Sequence, residues 1–388
     1  MTTLGDLARE EVLEFSDGYR TKRNEHATVG FRILRAGDVR DGRIHLDGPD
    51  FVDVDYAQAI GSKVAREGDV VLTTKGTVGR AGLVAALTEN VVYSPQVCYF
   101  RSRRPDVIDL RFLHHWLSSP EFTDQAGYLK SSTDMAPYIS LRDLASTRIE
   151  LPPLPTQRAI AEVLGALDDK IAANRSVADA CDELRRVRYV ALLGEDSRPL
   201  SELARFVNGR AYTKNATGAG RVVIRIAELN SGIGGSTVYN ELDVPDDNLA
   251  RPGDLLFAWS GSLTAARWYR AEAIVNQHIF KVIPNHPWPT WLVACAVDKK
   301  LADFKAIAAD KATTMGHIQR RHLDEPVGVP DRTAIVANDD AMTALWGRAL
   351  AAEIESLHLA EIRDTLLPHL MSGRITVRDA EKQVEEVL

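Results

Sequence analysis

The sequence has little cysteine and no long apolar run. Its 388 residues include three cysteines, Cys98, Cys181 and Cys295, which lie too far apart to suggest a metal-ligand motif or a disulfide framework. It contains no run of about 18 apolar residues, and residues 1–20 lack the apolar core of a signal peptide. We therefore expect a cytoplasmic protein with reduced thiols that does not enter a membrane.

Catalytic motifs are also missing. The chain has no G-x4-G-K-[ST] phosphate loop, no H-E-x-x-H and no Asn/Asp-Pro-Pro-aromatic tetrad of the kind with which adenine methyltransferases hold a flipped base. His114 and His115 are adjacent in a predicted helix, where neighbouring side chains point apart, so we do not expect them to share a metal. The glycine-rich runs 218–220 and 232–235 read as surface loops. These absences predict a non-catalytic chain without a metal or cofactor of its own.

An excess of positive charge is lacking as well. The net charge is −7, and the acidic groups are concentrated in residues 331–388, with 11 acidic and 6 basic side chains. Residues 196–330 are slightly basic, with 16 basic and 14 acidic side chains. This distribution argues against a uniformly basic nucleic-acid binder and is compatible with a local basic face.

A long helix is predicted in residues 151–195. Three prolines at 152, 153 and 155 form an extended lead, and about 35 helix-forming residues follow, which would span about 50 Å. Their apolar residues follow the 4-3-4 spacing of a coiled-coil seam, with the polar Asn174 as a register device. The predicted seam residues are Ile160, Leu164, Leu167, Ile171 and Asn174.

A second long helix is predicted in residues 331–375, from Thr333 to about Leu367, with Pro368 ending it. Residues 376–388 are predicted to be an acidic tail, of which Glu381–Leu388 is expected to be frayed. The residues predicted to pair with the first helix are Leu345, Ala349, Ala352 and Leu359.

The two halves of the chain follow one plan. Five motifs of the first half recur in the same order in the second, with an offset that drifts between about 180 and 196 residues. Chance would give one or two such matches, so we predict two copies of one domain, at 1–150 and 196–330. The paired motifs begin at Leu4 and Leu200, Arg35 and Arg225, Arg66 and Arg251, Gln96 and Gln277, and Thr133 and Thr313.

Each copy is predicted to be a mixed α/β (α+β) domain. Residues 30–39 and 222–229 alternate as strands do, Gly68 and Gly253 open turns that lead into apolar strands, and 110–117 and 291–297 read as short helices. Since each long helix leaves its own copy, the helices can pair only as an antiparallel coiled coil, with a pseudo-twofold internal repeat. Two similar but different domains suit the two half-sites of one DNA duplex.

Candidate DNA contacts lie in loops at matching places of both copies. Hydroxyl groups, lysine and arginine suit phosphates and base edges, while glutamine and histidine can read adenine or guanine. The alternative for each loop is an ordinary turn, and for the glutamines a satisfied amide in a strand. The candidates are Thr73, Thr74, Lys75, Thr77, Gln96, Lys130, Ser131 and Thr133 in the first copy, and Arg210, Tyr212, Lys214, Ser260, Ser262, Gln277, His278, Lys311, Thr313 and Thr314 in the second.

Four recurring carboxylates have a structural interpretation. Asp38 and Glu228 recur at one place in the repeat, and Asp69 and Asp254 at another. A carboxylate can accept from cytosine, but each of these follows an arginine by three residues, so we expect turn caps or ion pairs.

The first long helix resembles a known family. LPPLPTQRAIAEVLGALDDKI, which begins at Leu151, and the following Asn174 resemble the central conserved region of specificity subunits of type I restriction–modification systems. LLPHLMSGRI, at 366–375, resembles the end of that family's second conserved helix. The second lead, VGVPDRTAIVA at 327–337, departs from the pattern because it lacks the double proline and QRAIA.

The resemblance implies that each copy is a target recognition domain for one half of an asymmetric, bipartite DNA site. The helices would dock two modification (methyltransferase) subunits, and restriction (translocase–nuclease) subunits would join them. SAM, ATP and Mg²⁺ would then be needed only in the partner subunits.

Three alternatives stay open. A related phage-defence or methylation-only system would lack a nuclease gene nearby. A self-contained DNA methyltransferase would bind its cofactor as an isolated chain. A coiled-coil scaffold without a DNA role would show no sequence-dependent affinity.

Overall fold

The computed structural model describes residues 1–129, 137–309 and 317–385. It divides into two compact units: unit 1 is Met1–Asp169 with Ala360–Leu388, and unit 2 is Lys170–Leu359. The predicted domains 1–150 and 196–330 each fall within one unit.

Unit 1 has a mixed α/β fold, which confirms the predicted class. Its strands form a sheet in the order β2-β11-β8-β9-β6-β5, another in the order β10-β4-β7-β3, and the pair β1-β12. The strands are β1 Thr2–Thr3, β2 Leu13–Asp17, β3 His26–Ala27, β4 Phe31–Leu34, β5 Val39–Arg40, β6 Gly42–Ile44, β7 Phe51–Val52, β8 Val70–Thr73, β9 Ala81–Leu83, β10 Val91–Tyr93, β11 Val97–Ser102 and β12 Arg148–Ile149. The helices are α1 Leu4–Arg9, α2 Ala57–Ile60, α3 Leu110–Ser118, α4 Pro120–Leu129 and α5 Leu141–Ser146, and the long helix α6, Leu154–Ala191, starts in this unit.

Unit 2 is built in the same way. Its sheets run β14-β21-β18-β19 and β16-β15-β20-β17, with the pair β13-β22. The strands are β13 Leu193–Pro199, β14 Ala204–Asn208, β15 Arg221–Ile224, β16 Val238–Asn240, β17 Leu249–Ala250, β18 Leu255–Ala258, β19 Thr264–Arg267, β20 Ala273–Val275, β21 Ile279–Pro284 and β22 Pro326–Pro330. The helices are α7 Leu200–Leu203, α8 Ile226–Ser231, α9 Thr290–Ala309 and α10 Arg332–Met371, and α11, Val377–Glu385, follows in unit 1.

The strand topology confirms the internal repeat. The order β2-β11-β8-β9 of unit 1 matches β14-β21-β18-β19 of unit 2, and all of these neighbours are antiparallel. The parallel pair β10-β4 matches β20-β15. Each unit therefore combines the same antiparallel sheet with the same parallel pair.

The recurring carboxylates cap turns, as predicted. The carboxylate of Asp38 accepts from the backbone N–H of Arg35 at 2.7 Å, and that of Glu228 accepts from Arg225 at 3.0 Å. The other pair behaves alike, since Asp69 accepts from Arg66 N–H and Asp254 from Arg251 N–H. These carboxylates define local backbone conformation.

The same caps explain why two predicted strands are present but shorter than expected. In 30–39 the strand stops at Leu34 and a 3-10 helix follows at Ala36–Asp38. In 222–229 the strand stops at Ile224, and α8 begins after Arg225. A carboxylate that holds the N–H three residues earlier starts a helical turn, which the apolar alternation does not reveal. The predicted helix 291–297 was too short, because α9 continues to Ala309.

The predicted seam of α6 is buried, and α6 packs against α10. Ile160, Leu164, Leu167, Ile171 and Asn174 are each at most 5% exposed. On α10, Ala349, Ala352 and Leu359 are buried, while Leu345 is half-buried against the core of unit 2. The amide nitrogen of Asn174 has no hydrogen-bond partner among the described residues.

The helices run antiparallel, as predicted. In unit 2, Lys170 Nζ lies 3.2 Å from Glu355 Oε1, and further along α6 Ala178 packs with Ala349 and Ala352. The residue numbers on α10 thus fall as those on α6 rise.

Gln157 fixes the start of α6 in unit 1. This residue of the QRAIA motif is buried, and its Oε1 accepts from the backbone N–H of Asp109 at 3.0 Å. Its Nε2 donates to the carbonyls of Val107 at 3.0 Å and Pro152 at 2.8 Å. One amide therefore ties the proline lead and the loop before α3 to the helix.

Arginine side chains fix the helices in unit 2. Arg267 donates to Glu353 at 2.8 Å and to Asp182 at 3.2 Å, so it bridges α10 and α6. The guanidinium carbons of Arg185 and Arg267 lie 5.2 and 4.5 Å from the ring centroid of Trp346. Buried cations are tolerated here because each has carboxylates and an aromatic face as partners.

The end of α10 and the tail differ from prediction. Pro368 lies inside α10, which continues to Met371. A proline so close to the C-terminus removes one helical hydrogen bond, and its own carbonyl still accepts from Ser372 N–H. The acidic tail contains the helix α11, which is capped by Thr376, so residues 381–385, predicted to be frayed, are helical.

Three further observations concern the described residues. None of their helices is long and apolar enough to cross a membrane, and no group of three or more His, Cys, Asp or Glu side chains is placed to hold a metal ion. Cys98, Cys181 and Cys295 are free thiols, and burial raises the pKa of Cys98 and Cys295.

Candidate nucleic-acid interface

Backbone hydrogen bonds bring the candidate loops of unit 2 together. Trp259 N–H donates to the carbonyl of His278 at 3.1 Å, and Gln277 N–H donates to that of Arg210 at 2.8 Å. Ile318 N–H donates to the carbonyl of Trp259 at 3.1 Å. Segments that are separate in sequence, near 210, 260 and 277, thus form one surface at the ends of β14, β18 and β20.

Unit 1 repeats this arrangement. Thr74 N–H donates to the carbonyl of Gln96 at 2.9 Å, and Ile139 N–H donates to that of Thr74 at 3.0 Å. The loop 74–77 of unit 1 and the loop 259–262 of unit 2 are therefore equivalent, which sequence matching alone predicted.

One match of the repeat was wrong by one residue. Gln96 directly precedes β11, whereas Gln277 lies two residues before β21 and His278 directly precedes it. The backbone bonds agree, since Gln96 and His278 accept from equivalent residues, Thr74 and Trp259. The structural counterpart of Gln96 is His278, because the loop geometry sets the register and a shared residue type does not.

The candidates differ in exposure. Thr73 and Thr74 are buried: the Thr73 hydroxyl accepts from Arg80 N–H, and the Thr74 hydroxyl donates to the Gln96 carbonyl. Ser260 is buried as well, and the Tyr212 hydroxyl is hydrogen-bonded to Asn248. Thr73, Thr74 and Ser260 therefore do not face solvent as contacts would, and Tyr212, which is half-buried, is held by its bond to Asn248. The exposed candidates are Lys75, Thr77, Gln96, Arg210, Lys214, Ser262, Gln277 and His278.

Six candidates cannot be placed. Lys130, Ser131, Thr133, Lys311, Thr313 and Thr314 lie outside the described residues.

Trp259 was not selected as a candidate, although it organises the loops of unit 2. Its Nε1 donates to Asn208 Oδ1 at 2.9 Å, and its ring lies 5.2 Å from the ring of His278 and 5.7 Å from that of Phe280. His278 has a φ of 73°, an uncommon backbone state for a residue with a side chain. The signal in the sequence was a tryptophan in a turn otherwise made of serine and glycine.

A concavity of about 410 Å³ opens beside Gln277 and His278. Its wall is largely apolar, with Ile226, Ala227 and Val238. Arg225 also lines it, but its guanidinium donates to Glu228 at 2.6 Å and to the carbonyl of Ser236 at 2.7 Å. Burial opposes ionisation of Glu228, yet hydrogen bonds from Arg225 and Thr237 outweigh it and lower the pKa of that carboxyl. The arginine charge is therefore balanced inside the protein.

The histidine pair of α3 is a core feature. His114 and His115 are both buried, with ring centroids 5.1 Å apart, and His115 Nδ1 lies 3.9 Å from Asp168. Burial lowers the pKa of His115 to about 3 and also lowers that of His114. Both rings are neutral near pH 7.

The helices expose apolar side chains in unit 2. On α6, Leu184, Val187 and Val190 are 46–57% exposed, and Val336 on α10 is 71% exposed. Large apolar side chains exposed at helical spacing are typical of a surface that binds a partner.

Comparisons with known proteins agree with these observations. Residues 7–178 match the family model described as the type I restriction modification DNA specificity domain. The MjaVIII type I restriction enzyme specificity subunit of Methanocaldococcus jannaschii is 26% identical over 181 residues, which cover 46% of this chain and 42% of that protein. The EcoBI specificity subunit of Escherichia coli is 31% identical over 176 residues, 43% of this chain and 35% of that protein. The aligned regions thus span less than half of either relative.

The fold is also similar to a solved structure. The type I restriction–modification S subunit from M. genitalium superposes with a TM-score of 0.54 at 16% identity, over 93% of this chain and 94% of that one.

Proposed function

We propose that the chain is a type I restriction modification DNA specificity subunit, as the match of residues 7–178 to that family model supports, and that it reads an asymmetric, bipartite DNA site, one half with each unit. The observation that carries the proposal is the repeated loop surface, with Thr74 bonded to Gln96 in unit 1 and Trp259 bonded to His278 in unit 2. A shared backbone frame with different exposed side chains is what two different half-sites require.

Target recognition is assigned to residues 1–150 and 196–330. The proposed DNA contacts are the exposed candidates. The basic side chains of Lys75, Arg210 and Lys214 would bind phosphates. The others would bind phosphates or base edges: Thr77, Gln96, Ser262, Gln277 and His278. Six candidates outside the described residues stay in the proposal on sequence grounds: Lys130, Ser131, Thr133, Lys311, Thr313 and Thr314. Thr73, Thr74, Tyr212 and Ser260 act by holding the loops.

The helices 151–195 and 331–375 are proposed to dock two modification (methyltransferase) subunits, and restriction (translocase–nuclease) subunits would join through them. The exposed side chains of Leu184, Val187, Val190 and Val336 support a partner surface in unit 2. The acidic tail 376–388 has no assigned role. This chain would act in the cytoplasm without a cofactor, and SAM, ATP and Mg²⁺ would serve the partner subunits.

Long-read methylation sequencing of the host genome, with and without the gene, tests the proposal. Deletion should remove methylation at one split motif, and the wild-type gene on a plasmid should restore it. Exchange of residues 196–330 with those of another family member should change one half of the motif and leave the other half as it was. An unchanged methylome after deletion, in a host that transcribes both this gene and its methyltransferase partner, would overturn the proposal.

A further inference from the structure

The two units differ chemically at one place on their shared frame. The capped motifs Arg35–Asp38 and Arg225–Glu228 are equivalent, so Ala36 and Gly37 of unit 1 correspond to Ile226 and Ala227 of unit 2. Gln96 likewise corresponds to His278. Both differences fall on the walls of the same small region, and in unit 2 this region is the concavity beside Gln277.

In unit 1 the region is filled by an amide. Gln96 Oε1 accepts from the backbone N–H of Ala36 at 3.2 Å, so the side chain lies across the small residues 36 and 37. Unit 1 therefore presents an amide where unit 2 presents an imidazole.

In unit 2 the region is open and apolar. The His278 ring packs beside Trp259, at 5.2 Å, and the larger Ile226 and Ala227 line the space with Val238. An added Cβ on Gly261 would lie 3.7 Å from Ile226 Cδ1, so the wall adjoins the loop 260–262. The apolar lining of the concavity and the loop 260–262 are therefore parts of one surface.

The charge distribution indicates which group the concavity accepts. Arg225 is the one arginine or lysine among the described residues that line the concavity, and its guanidinium is held by Glu228 and by the carbonyl of Ser236, so it is not free to bind a phosphate. At the rim, the side chains of Gln277 and His278 are exposed and can bond to a base edge. Thymine is the base that shows an apolar group in the major groove, its C5-methyl, beside the O4 acceptor.

We infer that the concavity of Ile226, Ala227 and Val238 receives the C5-methyl group of a thymine and makes unit 2 specific for an A·T pair at that position. The inference rests on the proposed function. Ile226 is the specificity-determining residue, and Gln277 and His278 bond to the polar edge of the same or the neighbouring base pair.

The experiment uses the full chain, co-purified with its methyltransferase subunits, and duplexes that carry the motif found by methylation sequencing. Each thymine in the half-site of unit 2 is replaced singly by deoxyuridine, which removes only the methyl group. At one position the wild-type complex should bind about four- to tenfold more weakly, as loss of one buried methyl predicts. The Ile226→Ala complex should bind thymine and deoxyuridine equally at that position and should still read the half-site of unit 1.

Leu229→Ala is the matched control. Leu229 lies on the same helix and packs against the same core as Ile226, but it does not line the concavity. This variant should lose similar packing and keep the discrimination between thymine and deoxyuridine.

The outcomes separate the two proposals. If the wild-type complex methylates a motif but tolerates deoxyuridine everywhere, or if its half-site has no thymine, the inference is overturned alone. The same holds if Ile226→Ala discriminates as the wild type does. If the chain directs no methylation at any motif, the proposed function fails and the inference fails with it.

Discussion

Replacing Gln157 with alanine should weaken unit 1 by about 3 kcal/mol. The side chain is buried and makes three hydrogen bonds, one from Asp109 N–H and two to the carbonyls of Val107 and Pro152. A hydrogen bond contributes about 1 kcal/mol net, and a buried group left without a partner costs about 1–3 kcal/mol, so the range is about 2–5 kcal/mol. The loss should fall on the proline lead and on the loop before α3.

Hydrogen exchange measured by mass spectrometry on the full chain is the suitable assay, because a chain with two units does not give one defined unfolding free energy. Peptides covering 105–118 and 154–169 should exchange about a hundredfold faster in the variant, which corresponds to about 3 kcal/mol at 1.4 kcal/mol per factor of ten. Peptides from 200–300 should be unaffected.

Gln125→Ala is the matched control. Gln125 bonds to the backbone in the same way, since its Oε1 accepts from Arg148 N–H and its Nε2 donates to the Arg148 carbonyl, but these bonds are exposed. Water can replace them, so this variant should lose less than about 1 kcal/mol. If both variants speed exchange equally, or if Gln157→Ala changes the exchange rate less than about threefold, burial does not explain the contribution of Gln157 to stability.

Three further predictions concern the stability of unit 1, and each is checked on the full chain by hydrogen exchange of unit 1 peptides at increasing urea concentration. Arg101→Met should lower the free energy of unfolding by about 3–5 kcal/mol, because it leaves the buried Asp69 carboxylate without its ion pair. Arg103→Met breaks an exposed ion pair and should lower it by less than about 1 kcal/mol. Equal losses in the two variants would contradict the argument from burial. Burial lowers the pKa of His115 from 6.5 to about 3, so the unfolded chain binds a proton there before the folded chain does. Stability should fall as the pH drops from 6.5 towards 3, and His115→Phe should flatten this part of the curve; an unchanged slope would argue against a neutral His115. Pro368→Ala should raise the free energy of unfolding by about 1–2 kcal/mol. The alanine restores a helical N–H, and the greater flexibility of the unfolded chain offsets part of this gain. A lower urea midpoint would show that the proline fits its place in α10 better than alanine.

Long-range periodicity made the helices predictable from sequence. The 4-3-4 spacing predicted the buried seam from Ile160 to Ile171. The start of each long helix at the end of its own copy predicted the antiparallel pairing. Both depend on repeated patterns over many residues, which a single exception such as Asn174 does not disturb.

Local conformation was less predictable. The strand predicted at 222–229 ends at Ile224 because one carboxylate, Glu228, turns the chain into a helix. The match of Gln96 to Gln277 failed because residue identity is a weak guide to register in loops. Whether Thr73 faces solvent depends on where Arg80 lies, and only the folded chain shows this.

The same limits apply to the proposed recognition surface. The sequence located its loops, since hydroxyl-rich turns recur in both copies. The sequence did not reveal that Trp259 organises the loops of unit 2 or that Ile226 lines the concavity, because both depend on the packing of segments that are distant in sequence. The differences between the two copies, Gln96 against His278 and Ala36 against Ile226, become visible only where the folded units are matched.

The division of the chain into units has a consequence for synthesis on the ribosome. Unit 1 is made of two separate stretches, and Asp168 near the end of the first pairs with Arg363 in the second at 2.6 Å. All of unit 2 is translated between them, which takes roughly 10–40 s at about 5–20 residues per second. During that time the first 169 residues must stay soluble without residues 360–388, whose Leu366, Leu367 and Leu370 are buried in the folded chain. Nascent chains stalled before residue 360 should therefore bind chaperones through unit 1, although unit 2 was translated later.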